Sequence, residues 1–162
     1  MFRFAAATLF VWLCVLCMPA SAITLEQSMA DPDWIGPPVE SPYWSVDGKS
    51  IYYQLKRNGS TVRDLHRVDL ATGEDVIIDP ALMAGADGAN AVFDRSRQQA
   101  AFIRSGDVFI RDVRNDRLIQ VTRTPQAEAS PQFSADARSL QFRSGNDWFV
   151  YDIASRVVAP AA

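Results

Sequence analysis

The stretch "SPYWSVDGKSIYYQ" at residues 41–54 returns in altered form as "SPQFSADARSLQFR" at residues 130–143. Both copies begin Ser-Pro, place an aromatic residue two positions after the proline and an aspartate three positions later, and continue with alternating apolar residues. A third, more divergent copy, "AVFDRSRQQAAF", begins at Ala91. Repetition of this kind indicates a fold built from several copies of one structural unit.

A second signature follows each copy: "DLHRVDL" from Asp64, "DVFIRDV" from Asp107 and "DWFVYDI" from Asp147. Two signatures that recur in the same order argue against chance similarity, and they place the copies near residues 41, 90 and 130. We interpret Trp44 and Trp148 as aromatic residues packed within the units. The residues that define the repeat are Pro42, Trp44, Asp47, Gly48, Phe93, Phe102, Pro131, Phe133, Asp136 and Trp148.

Each copy predicts four short strands. Pro42 is expected to open the first strand, because its missing N–H costs nothing at that position. Asp47-Gly48 predicts a tight turn in which glycine adopts a positive φ. The third copy has Ala137 in place of that glycine, so its turn is either of another type or mildly strained.

Four antiparallel strands in a period of roughly 40 residues are typical of a β-propeller blade. A β-sandwich would also give many short strands, but it would not require the repeat. We therefore predict an all-β fold, a partial β-propeller of about three four-stranded antiparallel blades at residues 41–80, 89–124 and 129–159. Closed propellers need about four to eight blades. The three are expected to form an open arc that self-associates through its unpaired edges.

Residues 1–22 differ from the rest of the chain. Arg3 is followed by an uncharged apolar run to Met18 and by the small residues Ala20-Ser21-Ala22. This order predicts a secretory signal peptide that is cleaved before Ile23. A membrane anchor is the alternative, but the run is shorter than the roughly 20 residues of a spanning helix. The protein is therefore expected to be exported to the periplasm or the extracellular space, without a membrane attachment after cleavage.

The composition, 48% hydrophobic and 22% charged, is that of a globular domain. Cleavage would remove Cys14 and Cys17, the two cysteines of the chain, so no disulfide is expected. Without Arg3 the 16 basic residues become 15, against 19 acidic residues. This charge balance, with no basic block, argues against nucleic acid as a partner.

Residues 23–40 form a leader before the first blade. Thr24 and Gln27 fit a capping box, which predicts a helix of about two turns. Asp31-Pro32 is expected to end this helix, because the residue before a proline avoids the helical conformation. The prolines that follow predict an extended segment, and Trp34 within it is the best candidate for a docking contact.

The leader "LEQSMADPDWIG", with "SPYWSVDGKSIYYQLKR" and "RVDLATGE", resembles the start of secreted bacterial members of the prolyl oligopeptidase family of serine peptidases. Within that family it is most similar to the dipeptidyl-peptidase IV or acylaminoacyl-peptidase type, and the resemblance covers residues 24–155. It implies an N-terminal seven- or eight-bladed propeller that caps an α/β-hydrolase domain with a Ser-Asp-His triad. Peptide substrates are implied only for an intact enzyme of this kind.

No catalytic residue is predicted in this sequence. It has no G-x-S-x-G motif, and its one histidine, His66, lacks a serine and a carboxylate at a suggestive spacing. The resemblance implies a pair of substrate-binding glutamates, but Asp152-Ile153 stand at the corresponding place, so no substrate-binding residue is assigned. The aspartates are too dispersed for a calcium site. We predict no metal and no cofactor, and we interpret the paired aspartates as turn caps.

Three functions fit the sequence. The first is a truncated N-terminal propeller part of a secreted prolyl oligopeptidase-family peptidase, without the catalytic domain and therefore not itself an enzyme. The second is a periplasmic TolB-like propeller module that binds proteins. The third, a complete small peptidase, is disfavoured because the nucleophile motif is missing.

Overall fold

The computed structural model describes residues 24–29 and 36–161. The helices and strands belong to two units of the chain that divide after Pro37. In chain order the elements are α1 (Leu25–Met29), β1 (Val39–Trp44), β2 (Ser50–Lys56), β3 (Arg63–Asp69), β4 (Asp75–Ile77), α2 (Pro80–Met83), β5 (Val92–Phe93), β6 (Gln99–Arg104), β7 (Asp107–Asp112), β8 (Arg117–Gln120), β9 (Glu128–Phe133), β10 (Ser139–Ser144), β11 (Asp147–Asp152) and β12 (Val157–Pro160).

The strands form three four-stranded sheets in which neighbours along the chain pair antiparallel. We call them blade 1 (β1–β4), blade 2 (β5–β8) and blade 3 (β9–β12). Within the described part of the chain the three sheets do not close into a ring. The predicted all-β partial propeller of three antiparallel blades is therefore confirmed.

The helices are both short. The predicted leader helix is present as α1, which spans five residues and is shorter than the expected two turns. The residues expected to end it, Asp31-Pro32, lie outside the described residues, as does Trp34. Helix α2 was not predicted, although its local signal is clear: the Asp79 side chain accepts the Leu82 N–H at 2.8 Å, and Pro80 occupies the first turn.

Blades 2 and 3 pack face to face through apolar side chains. Ala101, Val108 and Ile110 of blade 2 form one buried cluster with Leu140 and Phe142 of blade 3. All five side chains are at most 3% exposed. Burial of this kind is the main favourable contribution to stability in a chain segment without disulfides.

Blade 1 contacts blade 2 directly through Val46, which clusters with Phe102, and it is also joined to blade 2 through the linker at residues 78–91. Ala86 of the linker packs in a cluster with Tyr52 of blade 1. Gly88 passes so close to blade 2 that a Cβ atom there would lie 2.5 Å from the Ile103 carbonyl oxygen. A glycine is needed at this position because a side chain would collide with the backbone of β6.

The proline of the repeat does not open a strand. Strand β1 begins at Val39, and Pro42 lies where the pairing with β2 shifts register between Glu40 and Tyr43. The prediction that Pro42 is the first strand residue is therefore wrong. The physical reason is a β-bulge on an edge strand, which leaves one backbone N–H unpaired and so accommodates proline. Pro131 lies at the corresponding register shift in β9.

The turn between the first two strands has the same backbone in all three blades. Gly48 has a φ of 71°, and Arg97 and Ala137 at the equivalent positions both have a φ of 56°. The N–H of each residue donates to the carbonyl three positions earlier. The alternative left open for Ala137 is thus resolved in favour of strain, because alanine occupies a left-handed conformation that glycine adopts freely.

Replacing Ala137 with glycine is expected to raise the free energy of unfolding by about 0.5–1 kcal/mol, since relief of the left-handed strain exceeds the entropy gained by the unfolded chain. Urea denaturation measures this difference. The matched control is Ala135→Gly in the same turn, where φ is not positive, and it is expected to lower stability. Equal effects of the two substitutions would contradict the assignment of strain to Ala137.

Candidate functional site

Each blade carries a stacked aromatic pair across its two central strands. The rings of Phe102 and Phe109 in blade 2 and of Phe142 and Phe149 in blade 3 have centroids 5.8 and 6.0 Å apart. On this side each sheet packs against the preceding blade: Phe102 clusters with Val46 of blade 1, and Phe142 with apolar residues of blade 2. The pair is therefore the centre of the contact between consecutive blades.

Blade 1 has the same pair but no preceding blade in the described chain. Tyr53 and His66 lie opposite each other in the pairing of β2 with β3, with ring centroids 5.0 Å apart. Ile51 and Val68 lie beside them on the same side of the sheet. We call Ile51, Tyr53, His66 and Val68 the receiving face. Its four residues are all partly exposed, whereas Phe102 and Phe142 are buried.

The aromatic pair of blade 1 has polar tips. The Tyr53 hydroxyl donates to Asp75 Oδ2 at 2.6 Å, and His66 Nδ1 lies 3.2 Å from Asp75 Oδ1. The hydrogen bond to Asp75 raises the pKa of Tyr53 to about 12. In the part of the chain that the structure describes, no serine hydroxyl is hydrogen-bonded to His66. The cluster can make hydrogen bonds to a bound group, but it lacks the nucleophile of a triad.

The two tryptophans of the repeat are exposed. Trp44 lies opposite Ile51 on the receiving side of blade 1 and is 62% exposed, and Trp148 in β11 is 43% exposed. Their interpretation as packed aromatic residues is wrong. The equivalent residue to Trp44 in blade 3, Phe133, packs against blade 2. Within the described part of the chain no blade packs on the side of blade 1 that carries Trp44 or on the side of blade 3 that carries Trp148.

A groove of about 730 Å³ runs beside Trp44, between the first turn of blade 1 and the first strand of blade 2. Pro42 and Phe93 line it together with Asp47 of the turn. The guanidinium of Arg97 lies 4.6 Å from the centre of the Phe93 ring, a cation–π contact. The groove thus offers apolar surfaces, one cation and one carboxylate, a combination suited to peptides.

The junction of blades 1 and 2 is held by a buried ion pair. Asp87 Oδ1 lies 2.5 Å from Arg111 Nε, and the two side chains are 5% and 8% exposed. Asp87 Oδ2 also accepts the Val46 N–H at 2.8 Å. Sequence reasoning missed this pair. The available signal was Arg111 itself, a charged residue at the repeat position that is Val68 in blade 1 and Tyr151 in blade 3.

The second aspartate of each pair caps a turn, as predicted. Asp69, Asp112 and Asp152 each accept backbone N–H groups two or three residues later. The backbone N–H of Thr72, which donates to Asp69, contributes most to lowering the pKa of that carboxyl. Among the described residues no three potential ligands of the His, Cys, Asp and Glu types are grouped closely enough to hold a metal ion.

The remaining residues of the repeat have structural roles in turns and in packing. Asp47 accepts the Ser45 hydroxyl at 2.6 Å, and Asp136 accepts the Ser134 hydroxyl at 2.7 Å. Phe93 packs at the edge of the cluster that contains Phe102. Half of the repeat residues therefore meet at the groove, namely Pro42, Trp44, Asp47, Gly48 and Phe93, and the others stand at corresponding places in blades 2 and 3.

No protein-family model matches this chain, and no curated protein matches it either. Solved structures match it at low identity. TolB from Acinetobacter baumannii is 19% identical, with a TM-score of 0.38, over 76% of this chain and 32% of that protein.

Two peptidase structures also match. The β-propeller domain of the Trilobed protease from Pyrococcus furiosus is 11% identical over 77% of this chain and 43% of the domain, with a TM-score of 0.46. The acylaminoacyl peptidase from Pyrococcus horikoshii is 13% identical over 75% of this chain and 24% of that protein, with a TM-score of 0.42. The chain spans less than half of each of these structures. The matched structures thus include peptidases as well as TolB. They do not show whether this chain is more similar to the peptidases or to TolB.

Proposed function

We propose that this chain is a non-catalytic propeller segment of a secreted serine peptidase of the prolyl oligopeptidase family, of the dipeptidyl-peptidase IV or acylaminoacyl-peptidase type. In this role it encloses and admits peptides but does not hydrolyse them. The observation that carries the proposal is the groove lined by Pro42, Trp44, Phe93 and Arg97. The resemblance of residues 24–155 to the start of such enzymes and the lack of a G-x-S-x-G motif support it.

The purified chain is expected to hydrolyse neither proline-containing nor acyl-peptide chromogenic substrates, and to bind such peptides through the groove. Because Trp44 is exposed, bound peptide should change the tryptophan fluorescence, and Trp44→Ala should weaken binding by roughly tenfold. The matched control is Trp148→Ala, an exposed tryptophan of blade 3, which should leave peptide binding unchanged. Hydrolysis that a single Ser→Ala substitution abolishes would overturn the proposal, and so would binding that is insensitive to Trp44→Ala.

A periplasmic TolB-like module that works through protein contacts is the second candidate. The partly exposed receiving face of blade 1, together with the exposed Trp44 on the same side of the sheet, favours it, because apolar surface of this kind marks interaction sites. The gene beyond the codon for Ala162 separates the two candidates. A following coding segment with G-x-S-x-G supports the peptidase, and its absence supports the module.

Both candidates include export, which we propose on the order of residues in the first 22 positions. None of the helices in the described ranges is long and apolar enough to cross a membrane. N-terminal sequencing of the protein recovered from the periplasm or the medium is expected to begin at Ile23. A mature species that retains Cys14 and Cys17 would contradict cleavage at this position.

A further inference from the structure

The loop between β2 and β3 carries the one Asn-Gly pair of the sequence, Asn58-Gly59. Both residues are exposed, and they occupy the centre of a turn in which the Ser60 N–H donates to the Arg57 carbonyl at 3.1 Å. Gly59 has a φ of 66°, as the third residue of a type II turn requires. Apart from its chain neighbours, no heavy atom lies within 4 Å of the place of a Cβ atom on Gly59. The pair therefore stands at the uncrowded tip of the loop.

The polar groups of this pair have no protein partner. In the described chain neither the Asn58 side chain nor the Gly59 N–H makes a hydrogen bond to the protein. The flanking positions do, because the Arg57 N–H donates to the Val62 carbonyl at 2.9 Å and the Val62 N–H donates to the Ser60 hydroxyl at 3.1 Å. The side chain of Asn58 and the nitrogen of Gly59 can thus approach each other without breaking a hydrogen bond of the fold.

We propose that Asn58 is a modification site, at which the folded protein converts the side-chain amide into a carboxylate by spontaneous deamidation. The deprotonated backbone nitrogen of Gly59 attacks Cγ of Asn58 and forms a new N–Cγ bond. The bond from Cγ to the amide nitrogen breaks, and that nitrogen takes up the proton that Gly59 lost and leaves as ammonia. Water then opens either carbonyl of the resulting cyclic imide, which gives aspartate or isoaspartate. Water is the only co-reactant.

The residue after the asparagine decides which site reacts. Glycine leaves its nitrogen open to attack because it has no Cβ atom. The other three asparagines are each followed by a residue with a side chain: Asn90-Ala91, Asn115-Asp116 and Asn146-Asp147. Asn115 is also held in place, since its backbone N–H and its side-chain Nδ2 donate to the Asp112 carboxylate at 3.2 and 3.0 Å. Asn58 is therefore the first asparagine of the chain to react.

The surroundings of the loop accommodate the product. The strands beside the turn carry three cationic side chains, Lys56, Arg57 and Arg63, against the two carboxylates of Asp64 and Glu40. A further carboxylate balances these charges instead of adding to a negative patch. Arg57 also donates two hydrogen bonds to Asp64, at 3.0 and 2.8 Å, which join the strands below the turn. The modified protein is expected to remain folded.

Peptide mapping of the intact chain tests the inference. The purified protein is incubated at mildly alkaline pH and then digested at mildly acidic pH, where the reaction is slow. We expect one more acidic species to accumulate on ion exchange, with aspartate and isoaspartate at position 58. Asn58→Gln should abolish this species, and the matched control Asn115→Gln should leave it unchanged. Gly59→Ala should slow its formation about tenfold, which corresponds to about 1.4 kcal/mol in the barrier.

A parallel incubation in urea distinguishes the folded loop from the unfolded chain, and circular dichroism verifies the fold before and after. Deamidation of Asn58 in the folded protein supports the inference. An amide that is lost in urea but retained in the folded chain would overturn it, because the loop would then protect the pair. Earlier reaction at another asparagine, or an acidic species that survives Asn58→Gln, would also overturn it. The inference is independent of the proposed peptidase function, since no residue that lines the groove belongs to this loop.

Discussion

Replacing Asp87 with alanine is expected to lower the free energy of unfolding by about 3–5 kcal/mol, because it removes the buried carboxylate that pairs with Arg111 and leaves that guanidinium only the exposed Asp116 carboxylate and the Gly85 carbonyl. Both side chains are at most 8% exposed, so the charge of Arg111 is poorly hydrated once the carboxylate is lost. The substitution also removes the acceptor of the buried Val46 N–H. Since domains have stabilities of about 5–15 kcal/mol, much of the stability of this chain depends on one carboxylate. Urea denaturation followed by circular dichroism measures the loss.

Two controls separate the buried charge from the other roles of this residue. Asp116 also pairs with Arg111, but its side chain is 86% exposed, so Asp116→Ala should cost at most about 1 kcal/mol. Asp87→Asn retains an acceptor for Val46 and removes only the charge, and its cost should lie between the two. A loss of stability in Asp87→Ala no larger than in Asp116→Ala would show that Arg111 finds another partner.

Phe102→Ala is expected to be about as damaging, with a loss of about 3–5 kcal/mol. The side chain is fully buried between blades 1 and 2, stacks on Phe109, and packs with Val46 and Ala100. Removing it leaves a cavity beside the linker, where a Cβ atom on Gly88 would lie 2.6 Å from the Phe102 ring. The measurement is again the free energy of unfolding.

The repeat supplies a matched control for this substitution. Tyr53 occupies the same repeat position in blade 1, but it lies on the partly exposed receiving face. Tyr53→Ala should therefore cost about 1 kcal/mol, a typical effect of a single substitution, when measured at concentrations at which the chain is monomeric. Equal losses from Tyr53→Ala and Phe102→Ala would mean that both positions are covered to the same extent in solution.

The blades were predictable from the sequence because their determinants are local. The turn aspartates, the alternation of apolar residues and the spacing of "DLHRVDL", "DVFIRDV" and "DWFVYDI" all act within one blade. The burial of residues that contact a neighbouring blade was not predicted correctly. Trp44 and Phe133 occupy equivalent positions, yet one is exposed and the other packed, because exposure depends on which blades are present as neighbours.

The first turn of blade 2 shows a second limit of sequence comparison. Asp94 and Ser96 have exchanged the places that serine and aspartate occupy in the other two copies. The Asp94 carboxylate accepts the Ser96 hydroxyl and the N–H groups of Gln98 and Gln99. Burial raises the pKa of Asp94, but these hydrogen bonds outweigh it, so the pKa lies below its ordinary value. The chemistry of the turn is retained although the order of its residues is reversed.

The ion pair of Asp87 and Arg111 could not be predicted for a related reason. Asp87 lies in the linker, outside the repeated unit, and its partner is 24 residues away. Their approach depends on the path of residues 78–91 between the two blades. Sequence spacing within the repeat contains no information about that path.

The smaller apolar junction of blade 1 has a consequence for the order in which the molecule loosens. Blades 2 and 3 share one continuous apolar cluster to which both contribute several buried side chains, whereas blade 1 contributes the single buried side chain of Val46 to its cluster with blade 2 and is otherwise joined through the linker and one ion pair. Proteins open in cooperative units of unequal stability, and the amide protons of the weakest unit exchange with solvent first. Strand β2 should thus exchange through a partial opening that leaves β6 and β10 protected, and a protease would first encounter the chain near residues 78–91.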